Sequence, residues 1–193
     1  TDNTGSGQAA INAAKDMATT SNFQSLLAIV TNSSSASIKN SAVGVLSKVV
    51  GRSEDPGAYA KGIVGIYNGT PDEAGRIALL RLMGSAGGDE AADIIADNLT
   101  GDDAKLKVAA INALQNWPDD TQFEAHKDFA SEVEDDGLRN QAFSGLVGFL
   151  KDGPKMDEDD KSLYWYDVAS LATEENEQRS VISAMVSQSG DWA

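Results

Sequence analysis

Apolar residues recur along this chain at three- and four-residue intervals, in stretches separated by short turns rich in Gly, Pro, Ser and Asp. That spacing predicts helices packed through one face. Ile11, Ala14 and Met17 share one side of a short helix over 8–18. Ser21-Asn22-Phe23-Gln24 has the form of a capping box and opens a helix carrying Leu26, Leu27 and Val30. A Ser-rich turn over 31–35 leads into a longer helix over 36–50, and Pro56 opens the next, which ends near Asn68-Gly69. Thr70-Pro71-Asp72-Glu73 has the form of a second capping box, with Pro at the first helical position. Its helix runs to Met83, Gly87-Gly88 breaks it, and Asp89 starts another that reaches Leu99. Gly101-Asp102-Asp103 starts a helix that stops at Trp117-Pro118. Further helices are predicted over 121–133 and 136–151, then, after Gly153-Pro154 and the acidic run 157–160, through Ala172 and over 174–187. No stretch alternates with period two for long enough to be a strand. Residues 43–50 come nearest in composition, and their spacing suits a helix as well.

The helices read as pairs, and the second helix of each pair carries a common register. Ala42, Ala78, Ala110 and Ala142 fall at matching places, with Ser180 in a weaker fifth copy. The next position is always apolar: Val43, Leu79, Ile111, Phe143 and Val181. Four residues past the small one come Leu46, Leu82, Leu114 and Leu146, with Ala184 in the weak copy. Lys39, Arg76, Lys107, Arg139 and Arg179 stand near the helix starts. Positions i, i+1 and i+4 share a helix face, so the small residue admits a neighbouring helix and the Leu fills the space above it. A single pair cannot bury such a face, so copies are expected to stack.

Over about residues 71–151 this pattern resembles the HEAT-repeat family. The resemblance is carried by Leu79-Leu80-Arg81-Leu82-Met83-Gly84-Ser85-Ala86-Gly87-Gly88, by Lys107-Val108-Ala109-Ala110-Ile111-Asn112-Ala113-Leu114 and by Trp117-Pro118-Asp119. These stretches are similar to HEAT arrays of large extracytoplasmic bacterial proteins, which often accompany cytochrome c or sugar-active modules. The resemblance implies an all-α fold, a right-handed α-α superhelix of the HEAT/armadillo-like solenoid kind with about five helical hairpins. First helices would lie on the convex side and second helices on the concave side. It extends more loosely over nearly the whole chain from Ser21. One repeat domain is then expected over 8–193, with repeats near 21–52, 54–86, 88–117, 119–152 and 157–188, and with 1–7 as a disordered tail or trimmed end. The family's Asp-x-x-Val-Arg entry is degraded here to Asp103 and Lys107, and the last copy replaces Leu with Ala184. An extracytoplasmic location follows from the likeness alone.

Composition narrows the function classes. With Lys and Arg 15 against Asp and Glu 30, the net charge of −15 argues against a phosphate backbone as partner and against an anionic membrane surface. No apolar run approaches the roughly 20 residues of a transmembrane helix. The absence of Cys rules out disulfides and thiolate chemistry.

Candidate chemistry is sparse. Gly84, Gly87 and Gly88 follow a helix and lead into Asp89-Glu90, so they read as a turn between pairs; a phosphate loop would follow a strand and carry Lys. His126, the single histidine, has Glu124 and Asp128 at i−2 and i+2, which point away from it on a helix; it reads as an exposed or half-buried bystander with no metal. The run 157–160 lacks the spacing of a calcium loop and reads as a solvated helix start. Tyr164-Trp165-Tyr166, with Trp192, is either a sugar-stacking platform or core; Tyr164, Val168 and Leu171 at i, i+4 and i+7 favour core packing on Phe149 and Leu150. Trp117 is expected to close its helix against the next pair. No catalytic residue and no cofactor is expected.

The surface reading follows from the register. First helices carry Asp89, Glu90, Asp93, Asp97, Glu124 and Asp128, and second helices carry Arg76, Arg81, Lys105, Lys107 and Arg139. An acidic convex side and a neutral to mildly basic concave side are expected. Leu80, Arg81, Asn112, Asn116, Gln141 and Ser144 are the candidate partner contacts on the concave side, where solenoids bind. The expected function is a non-catalytic binding or spacer module for another protein or for neighbouring domains of a longer chain. A carbohydrate-associated module built on residues 164–166 is the alternative. Val181, Ile182, Met185 and Val186 mark an exposed last helix through which two copies would pair.

Overall fold

A computed structural model describes residues 22–154 and 156–188. The predicted helix over 8–18, the capping role of Ser21, the tail 1–7 and Trp192 lie outside the described residues. Within them the fold is all-α, with ten α-helices and no strand. The helices are α1 (Phe23–Asn32), α2 (Ala36–Gly51), α3 (Ala60–Gly69), α4 (Glu73–Ala86), α5 (Asp89–Thr100), α6 (Ala104–Gln115), α7 (Phe123–Glu132), α8 (Asp136–Asp152), α9 (Glu158–Leu171) and α10 (Glu175–Gln188). A 3₁₀ turn, Pro56–Tyr59, precedes α3.

Side-chain caps decide where most of the second helices start. Ser35, Asp72, Asp103 and Asp135 each accept a backbone N–H from the first turn of α2, α4, α6 and α8. The box expected at Thr70 forms differently. Thr70 Oγ1 donates back to the Ile66 carbonyl at 2.8 Å, and Asp72 is the N-cap. Asp72 wins because its carboxylate also takes the Lys39 ammonium of α2 at 2.8 Å. That hydrogen bond holds the Asp72 carboxyl below the usual range. The turn after α4 needs glycine: Gly87 has φ +68 and Gly88 φ +90. A Cβ on Gly87 would also stand 2.7 Å from Pro118 Cγ.

Each odd-numbered helix packs on the even-numbered helix that follows it. The even-numbered helices also pack on one another in chain order, α2 on α4, α4 on α6, α6 on α8 and α8 on α10. The register explains this row. Ala42, Ala78, Ala110 and Ala142 are all buried, as are the apolar residues after them and Leu46, Leu82, Leu114 and Leu146. The fifth copy departs from it: Ser180 is half-buried, while Val181, Ala184 and Glu177 hold the inner side of α10.

Gly84 is not part of the turn. It lies inside α4, where a Cβ would stand 2.5 Å from Ala113 O and 2.6 Å from Ala113 Cα of α6. Both contacts are backbone, so no rotamer change relieves them. Gly84→Ala would force the helices apart, an overpacking cost of about 3 kcal/mol, against about 1 kcal/mol gained in helix propensity. A net loss of about 2 kcal/mol is expected in urea unfolding. A variant as stable as the parent would show that the joint is loose.

Candidate functional site

The exposed side of the even-numbered helices is where the candidate residues converge. Arg81 of α4 is exposed and donates from Nη1 to Asn40 Oδ1 of α2 at 3.2 Å. Gln141 Nε2 of α8 reaches Asn112 Oδ1 of α6 at 3.4 Å, and Asn116 Nδ2 donates to the Asn112 carbonyl at 2.7 Å. Ser144 is exposed beside them on α8. The structure thus joins Asn112, Asn116 and Gln141, and ties Arg81 to Asn40.

Leu80 does not belong there. It is 0 % exposed and part of the core, because α4 is flanked by α1, α2, α3, α5, α6 and the 3₁₀ turn. Its equivalents two residues past the small position, Asn112 and Ser144, lie on helices with fewer neighbours and remain at the surface. Several residues of the face escaped the sequence reading. Ser85 Oγ donates to Ser47 Oγ at 3.0 Å across α4 and α2, and Asn176 Nδ2 to Asn140 Oδ1 at 3.0 Å across α10 and α8. Asn40 escaped the sequence reading as well; it sits two positions before Ala42, as Asn140 does before Ala142, and both are exposed.

Charge divides between the two sets of helices. α2 and α6 hold no acidic residue, α4 holds only Glu73, and α8 holds Asp136 and Asp152 at its two ends. The same four helices carry eight Lys or Arg, of which Lys48, Arg81, Lys105 and Lys151 are exposed, while Lys39, Arg76 and Arg139 turn to Asp72, Tyr67 and Glu177. In contrast, α5 exposes Asp89, Glu90, Asp93 and Asp97, and α7 exposes Glu124, Asp128 and Glu132. Shallow depressions border the row, two of them against α4 and α6. One, of about 310 Å³, lies between α4 and α6, over Ile77, Val108 and Ala109. The other, of about 360 Å³, lies by Tyr67 and Asn98. There Arg76 Nη2 donates to Tyr67 Oη at 2.7 Å, which donates to Asn98 Oδ1 at 2.8 Å. Those groups satisfy one another.

The aromatic segment is mostly interior. Trp165 is 2 % exposed, so it offers no face to a sugar. Tyr164 stacks on Phe123 with centroids 4.0 Å apart, and Phe123 in turn lies against Phe149 at 6.3 Å. The Phe149 contact expected for Tyr164 is therefore relayed through Phe123. Tyr164 Oη donates to Asp120 Oδ2 at 2.9 Å, and burial with that hydrogen bond pushes the phenol up to about 12. Tyr166 alone of the three is open, at 74 %. Trp117 is buried, its Nε1 donating to Thr121 Oγ1 at 3.1 Å. On the last pair, Leu163, Ile182 and Met185 are exposed, whereas Val181 faces inward.

His126 is interior, where an exposed or half-buried bystander was expected. It is 1 % exposed, against α8 where Gly145 leaves room for its ring. Its Nε2 is buried with no partner. Burial drives its pKa down to about 4, opposed by a hydrogen bond with the Ala142 backbone, so the ring is neutral. Glu124 and Asp128 are exposed and turned away from it. Among the described residues, no group of three or more His, Asp or Glu converges as metal ligands. No helix of the described residues is long and apolar enough to cross a membrane. No family model matches the chain, nor does a curated protein or a solved structure.

Proposed function

We propose that the chain is a non-catalytic, HEAT-like α-solenoid that binds another protein, or spaces domains of a longer polypeptide, through the exposed side of α2, α4, α6 and α8. The observation that carries this reading is the charge division along one packed row. Thirty acidic residues are distributed so that α2 and α6 have none. A row of helices whose exposed side carries polar, adaptable side chains, and whose acids gather at the helix ends, suits an extended protein contact. A right-handed superhelix of five hairpins belongs to the same proposal, resting on the shared register and the chain-order packing. Extracytoplasmic location rests on family resemblance alone. The carbohydrate reading loses its support, since Trp165 is core and one exposed tyrosine makes a poor platform.

The test places a photo-crosslinking residue at Ser144 and, separately, at Asp93 on the acidic side. In extract of the source cells, Ser144 is expected to capture a discrete protein and Asp93 is not. Alanine at Asn112, Asn116 and Gln141 together should weaken that capture while the melting temperature holds. Equal capture from both positions, or capture indifferent to the three alanines, would remove this face as the binding surface.

A further inference from the structure

Helix α3 ends on the only Asn-Gly pair of the chain, Asn68-Gly69, and both residues are exposed. The helix that holds them is weak. Three of its ten residues, Gly62, Gly65 and Gly69, are glycine, the poorest helix former after proline. A Cβ at any of the three would meet nothing within 4 Å, so no close packing requires them. No side chain caps the start of α3. At its other end the α pattern gives way: Thr70 N donates to the Tyr67 carbonyl at 3.0 Å, and Thr70 Oγ1 donates to the Ile66 carbonyl at 2.8 Å. Gly69 is the last helical residue, and terminal turns open at a free-energy cost close to zero.

In the opened turn the Gly69 backbone nitrogen reaches Asn68 Cγ by closing a five-membered ring, and glycine puts no Cβ in the way. Every other asparagine of the chain is followed by a residue with a side chain. We propose that Asn68 is a site of spontaneous modification in the folded protein, a deamidation carried out by its own backbone. The Gly69 N–H gives up its proton, the N–Cγ bond forms, and the Cγ–Nδ2 bond breaks as ammonia leaves with that proton. Water then opens the cyclic imide. Cleavage of the new N–Cγ bond gives aspartate. Cleavage of the original main-chain bond gives isoaspartate, with the chain running through Cγ. Water is the only co-reactant. The product carboxylate enters the depression that Asn68 shares with Tyr67, Arg76 and Asp97. Isoaspartate also lengthens the main chain by one carbon shortly before Asp72, the cap of α4 and partner of Lys39. The modification is independent of which face binds a partner.

The test incubates the intact, folded chain at neutral and at mildly alkaline pH in water enriched in heavy oxygen, followed by trypsin digestion in ordinary water. Lys61 and Arg76 bound the peptide 62–76, in which Asn68 is the single asparagine. Its conversion to two products of equal mass is expected, separated by chromatography, each holding one heavy oxygen, and formed faster at the higher pH. Peptides carrying the other asparagines should lag behind it. Gly69→Val, which sets a branched side chain beside the attacking nitrogen, should lose both products. Asn68→Asp marks the position of the aspartate peak. Circular dichroism melts confirm that each variant is folded. An unchanged peptide 62–76 in the folded chain overturns the inference, and conversion in urea alone would show that α3 shields the pair. Equal conversion in Gly69→Val, or earlier conversion at another asparagine, overturns it as well.

Discussion

Replacing Arg139 with Leu is expected to cost about 3–5 kcal/mol of stability, the range for breaking a buried ion pair on one side. Arg139 of α8 donates through Nε to Glu177 Oε1 at 3.0 Å and through Nη2 to Glu177 Oε2 at 3.2 Å, in the bidentate manner of guanidinium and carboxylate. It also donates to the carbonyls of Ala130 at 3.1 Å and Leu171 at 3.2 Å. Glu177 is 2 % exposed, and its Oε2 accepts the backbone N–H of Thr173 and Glu174 at the start of α10. One guanidinium therefore pins the ends of α7 and α9 to α10. Leu at 139 would leave a buried carboxylate with two amides and no cation. Glu177→Gln in the same chain removes the stranded charge and keeps an oxygen for those amides, so the double variant should recover part of the loss. Urea midpoints of the parent, both single variants and the double variant measure this. A double variant no better than Arg139→Leu would show that the guanidinium acts through its carbonyl contacts instead.

Stability should also fall steeply between pH 6.5 and pH 4, and His126 should account for about 3 kcal/mol of that fall. The ordinary histidine value is 6.5, and burial lowers it to about 4 in the fold. Within that window the unfolded chain binds a proton at His126 and the folded chain does not. Unfolding is therefore favoured as pH falls, and the contribution is fully present above pH 6.5. His126→Leu removes the titration and fills a similar volume. The comparison is the difference in unfolding free energy between pH 7 and pH 4 for parent and variant. The variant should lose less, by about that amount, because carboxylate titration is common to both. Parallel pH profiles would mean that His126 is reached by water in the fold.

Helix positions were largely legible because they depend on neighbours three and four residues away. Gly87-Gly88 marked its turn, and the small-residue register marked four buried alanines. Elsewhere two local patterns competed. Residues 164, 168 and 171 make one stripe on α9, yet 165, 168 and 172 are the buried ones. Both sets fit a helix, and the packing of α9 on α8 and α10 chose between them. At the start of α4, Thr70 and Asp72 were both able to cap, and Lys39 of α2 settled it in favour of Asp72. The candidate face divided the same way. Asn112, Asn116 and Gln141 came together as their register implied, while Leu80 went inside.

Local pattern alone was enough to assign helicity, the ends of most helices and the small residue of each second helix. Those properties are set within a few residues by hydrogen bonding, capping and steric room along a single helix. Packing between distant helices, by contrast, put Leu80 and His126 inside, buried Lys39 against the exposed Asp72 and Glu177 against Arg139, and left an aliphatic groove between Arg81 and Lys105. Each of these depends on what a distant helix covers or leaves uncovered, and burial is a property of the pair in contact, which spacing within one helix cannot encode.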